Sequence, residues 1–200
     1  MFVSSNIKDY YARRAGEYER IYQKPERQND IAFLKSELQQ LLAGRNLLEI
    51  ACGTGFWTEA IAKTARSIFA IDINDEVLGI ARNKSYPLEK VRFQQTDALS
   101  LKGIHNRFDA GFAGFWLSHL PRSQVKDFLE KLHTKLLPDG LVVLIDNRFV
   151  EGSSLPISRT DDDGNTYQIR RLADGTKHEI IKNFFTGEDF RRFSTASARQ

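Results

Sequence analysis

Between Ile31 and Leu42 the apolar positions Ile31, Leu34, Leu38, Leu41 and Leu42 recur at helical spacing. They stop before Gly44, a residue suited to the left-handed turn that ends a helix. The next stretch, RNLLEIA, reads as a buried strand. Helical signal returns at Trp57 and Ile61, followed by strand SIFAID, a helix from about Asp75 to Lys84, and strands VRFQQ and FDAGFA. Val125, Phe128, Leu129, Leu132 and Leu136 form a second apolar stripe. The turn Pro138-Asp139-Gly140 closes it, and LVVLID after it reads as a fully buried strand. Alternating helices and nearly continuous apolar strands predict an α/β fold with a doubly wound, mostly parallel sheet. No internal repeat or low-complexity tract interrupts the order.

Residues 149–185 break the alternation. TYQIRRL and KHEIIKNF flank Ala173-Asp174-Gly175-Thr176, and Asp-Gly between two such runs predicts an inserted β-hairpin. The hairpin leaves from the mouth of the sheet's cleft and is placed to act as a lid, with Arg159, Arg170 and Arg171 as charges for an acidic substrate. A solvated surface hairpin is the competing reading. Thr186-Gly-Glu-Asp189 reads as a cap with acidic first-turn residues, starting a helix that runs to about Phe193. The expected organisation is one domain, 1–200. Residues 1–43 are a helical cap, 44–148 a core, 149–185 the hairpin insertion, and 186–200 a helix and tail.

Composition narrows the partners. The chain has 200 residues, 29 basic and 26 acidic, for a formal charge of +3. The signs are mixed, with eight of each in residues 151–200. No basic block suits a phosphate backbone, so a nucleic-acid partner is not expected. The single cysteine, Cys52, excludes an internal disulfide and a multi-cysteine zinc site, and no histidine pair has metal-ligand spacing. The longest apolar runs fall far short of the roughly 20 residues a membrane span needs, and the N-terminus lacks a signal-peptide core. A cytoplasmic location with no membrane partner is the expectation.

In doubly wound sheets, ligands bind beyond the carboxyl ends of the strands. The polar and glycine-rich residues sit at those ends: Gly53 and Gly55, then Asp72, Asp97, Gly114 to His119, and finally Asp146 with Asn147. Gly53 and Gly55 allow a sharp turn and close approach to a ligand. Asp72 is suited to accept hydrogen bonds from both hydroxyls of a ribose. A nicotinamide dinucleotide fits less well, because the fingerprint needs Gly or Ala where Thr58 stands and Glu49 is a poor neighbour for a pyrophosphate. A cationic nucleoside reverses that sign.

The run Glu49-x-Ala51-x-Gly53-x-Gly55 resembles the first motif of the class I S-adenosylmethionine-dependent methyltransferases, whose fold is Rossmann-like. AIDIN, TDAL, FDAGFAGFWLSHLP and LLPDGLVVLID resemble the later motifs in order, and the likeness covers roughly residues 7 to 146. YYARRAGEYERIY is similar to the aromatic N-terminal segment of ubiquinone/menaquinone-type small-molecule methyltransferases, which brings in Tyr11. The resemblance implies S-adenosyl-L-methionine as cofactor, Glu49 near its methionyl end, and Asp72 with Ile73 on the ribose. It puts Asp97, Ala98 and Leu99 around the adenine, and Ala51, Cys52, Gly114 and Phe115 along the site. Ala51 stands where the family usually has glycine, a change expected to cost little because alanine is nearly as small. Cys52 reads as a small buried filler rather than a nucleophile. Tyr10, Tyr11 and Tyr18 are expected to divide between the core and the site. Family members usually end with a helix and two antiparallel strands, the last beside strand five. Only STASARQ follows the helix here, so a truncated strand pair is expected. The exposed edge is then expected to be covered by the 167–184 hairpin or by a second subunit of a homodimer, or else the chain is a truncated, marginally stable relative of doubtful catalytic competence.

The implied chemistry is methyl transfer to a small molecule by in-line displacement, with His119 or Asp146 as the base if the acceptor must lose a proton. Three alternatives remain at this level: an RNA or protein methyltransferase, a nicotinamide oxidoreductase, and a cofactor-binding protein without catalysis. Ala113-Gly114-Phe115-Trp116 differs from the N/D-P-P-aromatic run of amino-methylating nucleic-acid enzymes, which favours the small molecule.

Overall fold

In a computed structural model that describes residues 2–3, 7–87 and 89–197, the centre is a five-stranded parallel sheet. The chain enters through a short strand, β1 (Phe2–Val3), helix α1 (Ile7–Arg14) and a 3-10 segment (Ala15–Tyr22). It then forms α2 (Gln28–Leu41), β2 (Asn46–Ile50), α3 (Phe56–Ile61), β3 (Ser67–Asp72) and α4 (Asp75–Arg82). After these come β4 (Val91–Gln95), β5 (Phe108–Gly114), α5 (Arg122–His133) and β6 (Leu136–Ile145). The strand order β4-β3-β2-β5-β6 reverses direction after β2, which confirms the doubly wound sheet. Strand pleating sends Leu47 to one core face with Leu38, Ile61 and Phe112, and Leu48 to the other with Phe128, Leu132 and Phe185. The stripe of α5 buries Val125, Phe128, Leu129 and Leu132 as its spacing predicts.

Two details of the last core strand differ from the pattern. Leu136 is not the end of the α5 stripe but pairs with Phe108 at the start of β6. Pro138-Asp139-Gly140 is a bulge inside that strand, with Asp139 at φ 61°, because the register jumps between Phe108 and Ala110. Residues 141–145 are partly exposed rather than fully buried, since β6 is the outer strand and among the described residues bonds to β5 alone.

The insertion forms β7 (Arg159–Thr160), β8 (Thr166–Arg171) and β9 (Lys177–Ile181). Its Asp-Gly turn is closed by Leu172 and Thr176, with Gly175 at φ 85°. These strands do not pair with β6. They make a second sheet, β1-β9-β8-β7, in which β1 runs parallel to β9, so the hairpin does not cover the β6 edge as an added strand. Helix α6 (Gly187–Ser197) begins with a reciprocal cap, Thr186 N to Asp189 Oδ2 at 2.7 Å and Asp189 N to Thr186 Oγ1 at 3.2 Å. It packs Phe190 and Phe193 against Phe185. No strand follows it among the described residues. No helix among them is long and apolar enough to cross a membrane.

Candidate active site

A cavity of about 800 Å³ opens over the carboxyl ends of β2, β3 and β5. Its floor begins at Ala51 and Gly53, where β2 turns toward α3. Gly53 has φ 57° and nothing within 4 Å of the place a Cβ would take, so the backbone borders open cavity there. Gly55, at φ 77°, serves another purpose. A Cβ on it would collide with Tyr86 Oη, so this glycine lets α4 and its flank approach the turn and does not line the cavity. Ala51 has φ 50°, a left-handed conformation whose cost depends on having a Cβ at all. The expected small cost of Ala51 rested on size, and the positive φ adds a conformational cost that size does not capture.

Asp72 ends β3 and lines the cavity while remaining 8% exposed. Its Oδ2 accepts from Gly53 N at 3.0 Å and its Oδ1 from Asn74 N at 2.9 Å, which ties the glycine turn to the strand tip. Burial pushes its pKa up, and these backbone donors work against that rise. Ile73 beside it, then Asp97, Ala98 and Leu99 after β4, and Gly114 with Phe115 after β5 complete this side. Asp97 Oδ1 accepts from Leu99 N at 2.9 Å, so the loop is shaped by its own carboxylate.

Glu49 lies one turn of chain below the floor. It is 1% exposed, outside the cavity lining, and its Oε2 has no hydrogen-bond partner. Burial pushes its pKa up to about 8, with Thr58 beside it opposing the rise. Cys52 is also buried outside the lining, and burial pushes its thiol well above the usual range, which fits an inert filler.

The opposite wall comes from α1 and the small sheet. Tyr10 packs with Leu172 and Ile180 in a separate apolar cluster, whereas Tyr11 and Tyr18 line the cavity. Tyr11 Oη and His119 Nε2 are 2.8 Å apart, and His119 Nδ1 is 2.8 Å from the Ile181 carbonyl. A carbonyl only accepts, so Nδ1 carries the ring hydrogen and Nε2 accepts the Tyr11 hydroxyl hydrogen. Burial, followed by the positive charge of Lys182, holds His119 well below its usual pKa. Burial raises the Tyr11 phenol. The pair is neutral at pH 7.

Asp146 stands elsewhere. It is outside the lining and 3.0 Å from Lys182 Nζ, with both side chains almost fully buried at 3% and 4% exposed. Ser118 N donates to its Oδ2 at 2.8 Å, and Lys182 Nζ donates to Ser118 Oγ as well. This buried cluster fixes the Leu117–His119 turn to β9 and sets the height of His119. The small-sheet part of the wall, Arg159, Tyr167, Ile180 and Ile181, carries no motif signal. Its only sequence cue is an insertion that leaves the chain at the cleft mouth. Among the described residues, no group of three or more His, Cys, Asp or Glu is placed to hold a metal.

Residues 47–140 match the family described as "Methyltransferase domain". The demethylmenaquinone methyltransferase of Staphylococcus aureus strain MRSA252 is 32% identical over 106 residues, covering 52% of this chain and 43% of the relative. The chain thus spans less than half the length of that curated relative. Among solved structures, DhpI in its complex with SAM and HEP is 26% identical, with a TM-score of 0.75 over 95% of this chain and 86% of that one. DhpI with SAH is 28% identical at a TM-score of 0.71, covering 94% and 84% of the two chains. NodS of Bradyrhizobium japonicum WM9, 23% identical over 70% of this chain and 72% of its own, shares the fold at a TM-score of 0.59. With the reversal of strand order after β2 and the cavity at that point, these likenesses give the chain the Rossmann-like fold of the DhpI structures and a match to a methyltransferase domain over residues 47–140.

Proposed function

We propose that this chain transfers a methyl group from S-adenosylmethionine to a small-molecule acceptor. The observation that carries the reading is the Gly53–Asp72 junction, where a side-chain-free turn and a buried carboxylate meet at the floor of a cavity of about 800 Å³. The residues fit an adenosyl sulfonium. Asp72 keeps lone pairs for ribose hydroxyls beyond its two backbone donors. Ala98 and Leu99 offer an apolar slot for a purine. When bound, S-adenosylmethionine supplies a methyl on a sulfonium, which an acceptor lone pair takes in line, leaving a neutral thioether.

The chain's own contribution is placement and exclusion of water. The 3-10 segment Ala15–Tyr22 holds the glycine turn through Thr54 Oγ1 donating to Glu19 Oε1 at 2.6 Å, and α1 holds the tip of β3 through Asn74 Nδ2 donating to the Lys8 carbonyl at 3.2 Å. Tyr11, fixed by His119, presents its hydroxyl oxygen to the cavity to orient an acceptor, and the rings of Tyr11 and Tyr18 face a cationic donor. The test is incubation with labelled S-adenosylmethionine and a panel of small acceptors. Label uptake by at least one small acceptor, and none by RNA or protein, is the expected result. Uptake by RNA or protein alone overturns the small-molecule reading. Cofactor binding with no transfer to any acceptor leaves a binding protein.

A further inference from the structure

The wall formed by α1 and the small sheet carries cations that the fold does not neutralise. Arg170 and His178 are register partners on β8 and β9, so they share the sheet face that packs on α1. Arg170 is half buried. Its Nη2 donates to Gln168 Oε1 at 2.9 Å, and its Nε is buried with no hydrogen-bond partner. Arg14 approaches the same region from α1, its Nη1 donating to Tyr10 Oη at 3.0 Å and its guanidinium lying 5.3 Å from the Tyr18 ring centre. Among the described residues neither arginine makes an ion pair. The carboxylates that line the cavity, Asp72 and Asp97, are both on the far, strand-end side.

A buried guanidinium N–H without an acceptor costs free energy, and an oxyanion satisfies it more strongly than a neutral group does. Both arginine charges reach Tyr11 and His119, which line the cavity. The chemistry of the Tyr11–His119 pair agrees. A histidine that resists protonation is a weak sink for a proton, which suits an acceptor atom that needs none removed.

We propose that, within the methyl-transfer reading above, the acceptor carries a compact oxyanion of the phosphate, phosphonate or carboxylate class, held at the Tyr11–His119 wall by Arg170 and Arg14. Arg171, by contrast, points from the exposed face and has no part in it.

The test is calorimetry of the full chain loaded with S-adenosylhomocysteine and titrated with inorganic phosphate, methylphosphonate and acetate. Saturable binding of at least one anion is expected. That affinity falls roughly tenfold or more in Arg170→Gln and partly returns in Arg170→Lys, while S-adenosylhomocysteine affinity is unchanged. Arg14→Gln serves as the second variant and weakens the same anion. No binding of any of the three anions to the loaded wild type overturns the proposal, as does Arg170→Gln and Arg14→Gln protein that both bind them like wild type. If S-adenosylhomocysteine itself does not bind, the methyl-transfer reading falls first and the anion proposal with it.

Discussion

Ala51 holds φ 50° at the start of the cofactor turn, where a Cβ in the left-handed region costs about 1–2 kcal/mol. Glycine relieves that strain but adds freedom to the unfolded chain, worth about 0.5–1 kcal/mol. Ala51→Gly is therefore expected to stabilise the protein by up to about 1 kcal/mol, read as a higher urea midpoint. A lower midpoint contradicts the assignment. Tyr11→Phe removes the hydroxyl that bonds His119 Nε2 while keeping the ring. The expected effect is a kcat lower by roughly ten- to a hundredfold with S-adenosylhomocysteine affinity little changed. Equal loss in both places Tyr11 on the cofactor instead. The pH dependence follows from the direction of the His119 shift. Its folded pKa is depressed below the unfolded value, near 6.5, so burial of the neutral ring is fully tolerated above about pH 6.5. That contribution is lost as pH falls from there toward the lowered folded pKa. The urea midpoint of wild type is thus expected to drop below pH 6.5 more steeply than that of His119→Gln. Motif spacing made Gly53, Asp72, Ile73, Asp97 and Phe115 legible as a group, because each stands at or just beyond the carboxyl end of a strand. It grouped Gly55 with them, which does not line the cavity and whose missing Cβ makes room for Tyr86.

At the scale of elements, the ends of β6 and β9 are joined by a buried ion pair, Asp146–Lys182, to which Ser118 of the 117–119 turn bonds on both sides. The Lys182 charge is destabilised first by burial and restored by Asp146. Asp146→Ala strands that charge in the interior. The expected loss is roughly 3–5 kcal/mol of unfolding free energy, while Asp146→Ala with Lys182→Met recovers a substantial part. Urea denaturation of the two variants checks this, and a double variant no more stable than the single one contradicts it. Sequence alone offered Asp146 as a base because it closes β6 at the cleft. Only tertiary packing reveals that Lys182, 36 positions later, takes its Oδ1. The α5 stripe and the Asp-Gly hairpin were legible because period and turn chemistry are local. The pairing of β1 with β9 was not, since two residues carry no period and their partner is more than 170 positions away. The bulge at Pro138–Gly140 was half legible: the turn residues were plain, but their place inside a strand depends on how β5 pairs across it.

For the whole molecule, the sheet ends on an uncovered strand. The outward-facing amides of β6 between Leu141 and Ile145 have no strand partner among the described residues, whereas the inward ones bond to β5. Hydrogen exchange on the monomer is expected to alternate along these residues, fast at outward amides and slow at inward ones. Uniform slow exchange that depends on protein concentration instead marks a second copy at the edge. The sheet, the hairpin and the cleft meet at one cavity: parallel strands bring Gly53, Asp72 and Asp97 to a common rim, and the small sheet closes the opposite side; on the proposed function these are the cofactor and acceptor sides. Its central claim is that Asp72 holds the ribose of S-adenosylmethionine at that rim. Titration calorimetry with S-adenosylhomocysteine, wild type against Asp72→Ala, tests it most directly. The account predicts binding by the wild type and a loss of roughly 1–3 kcal/mol in a still-folded Asp72→Ala. Equal affinity in the two proteins, or no binding by the wild type, contradicts it.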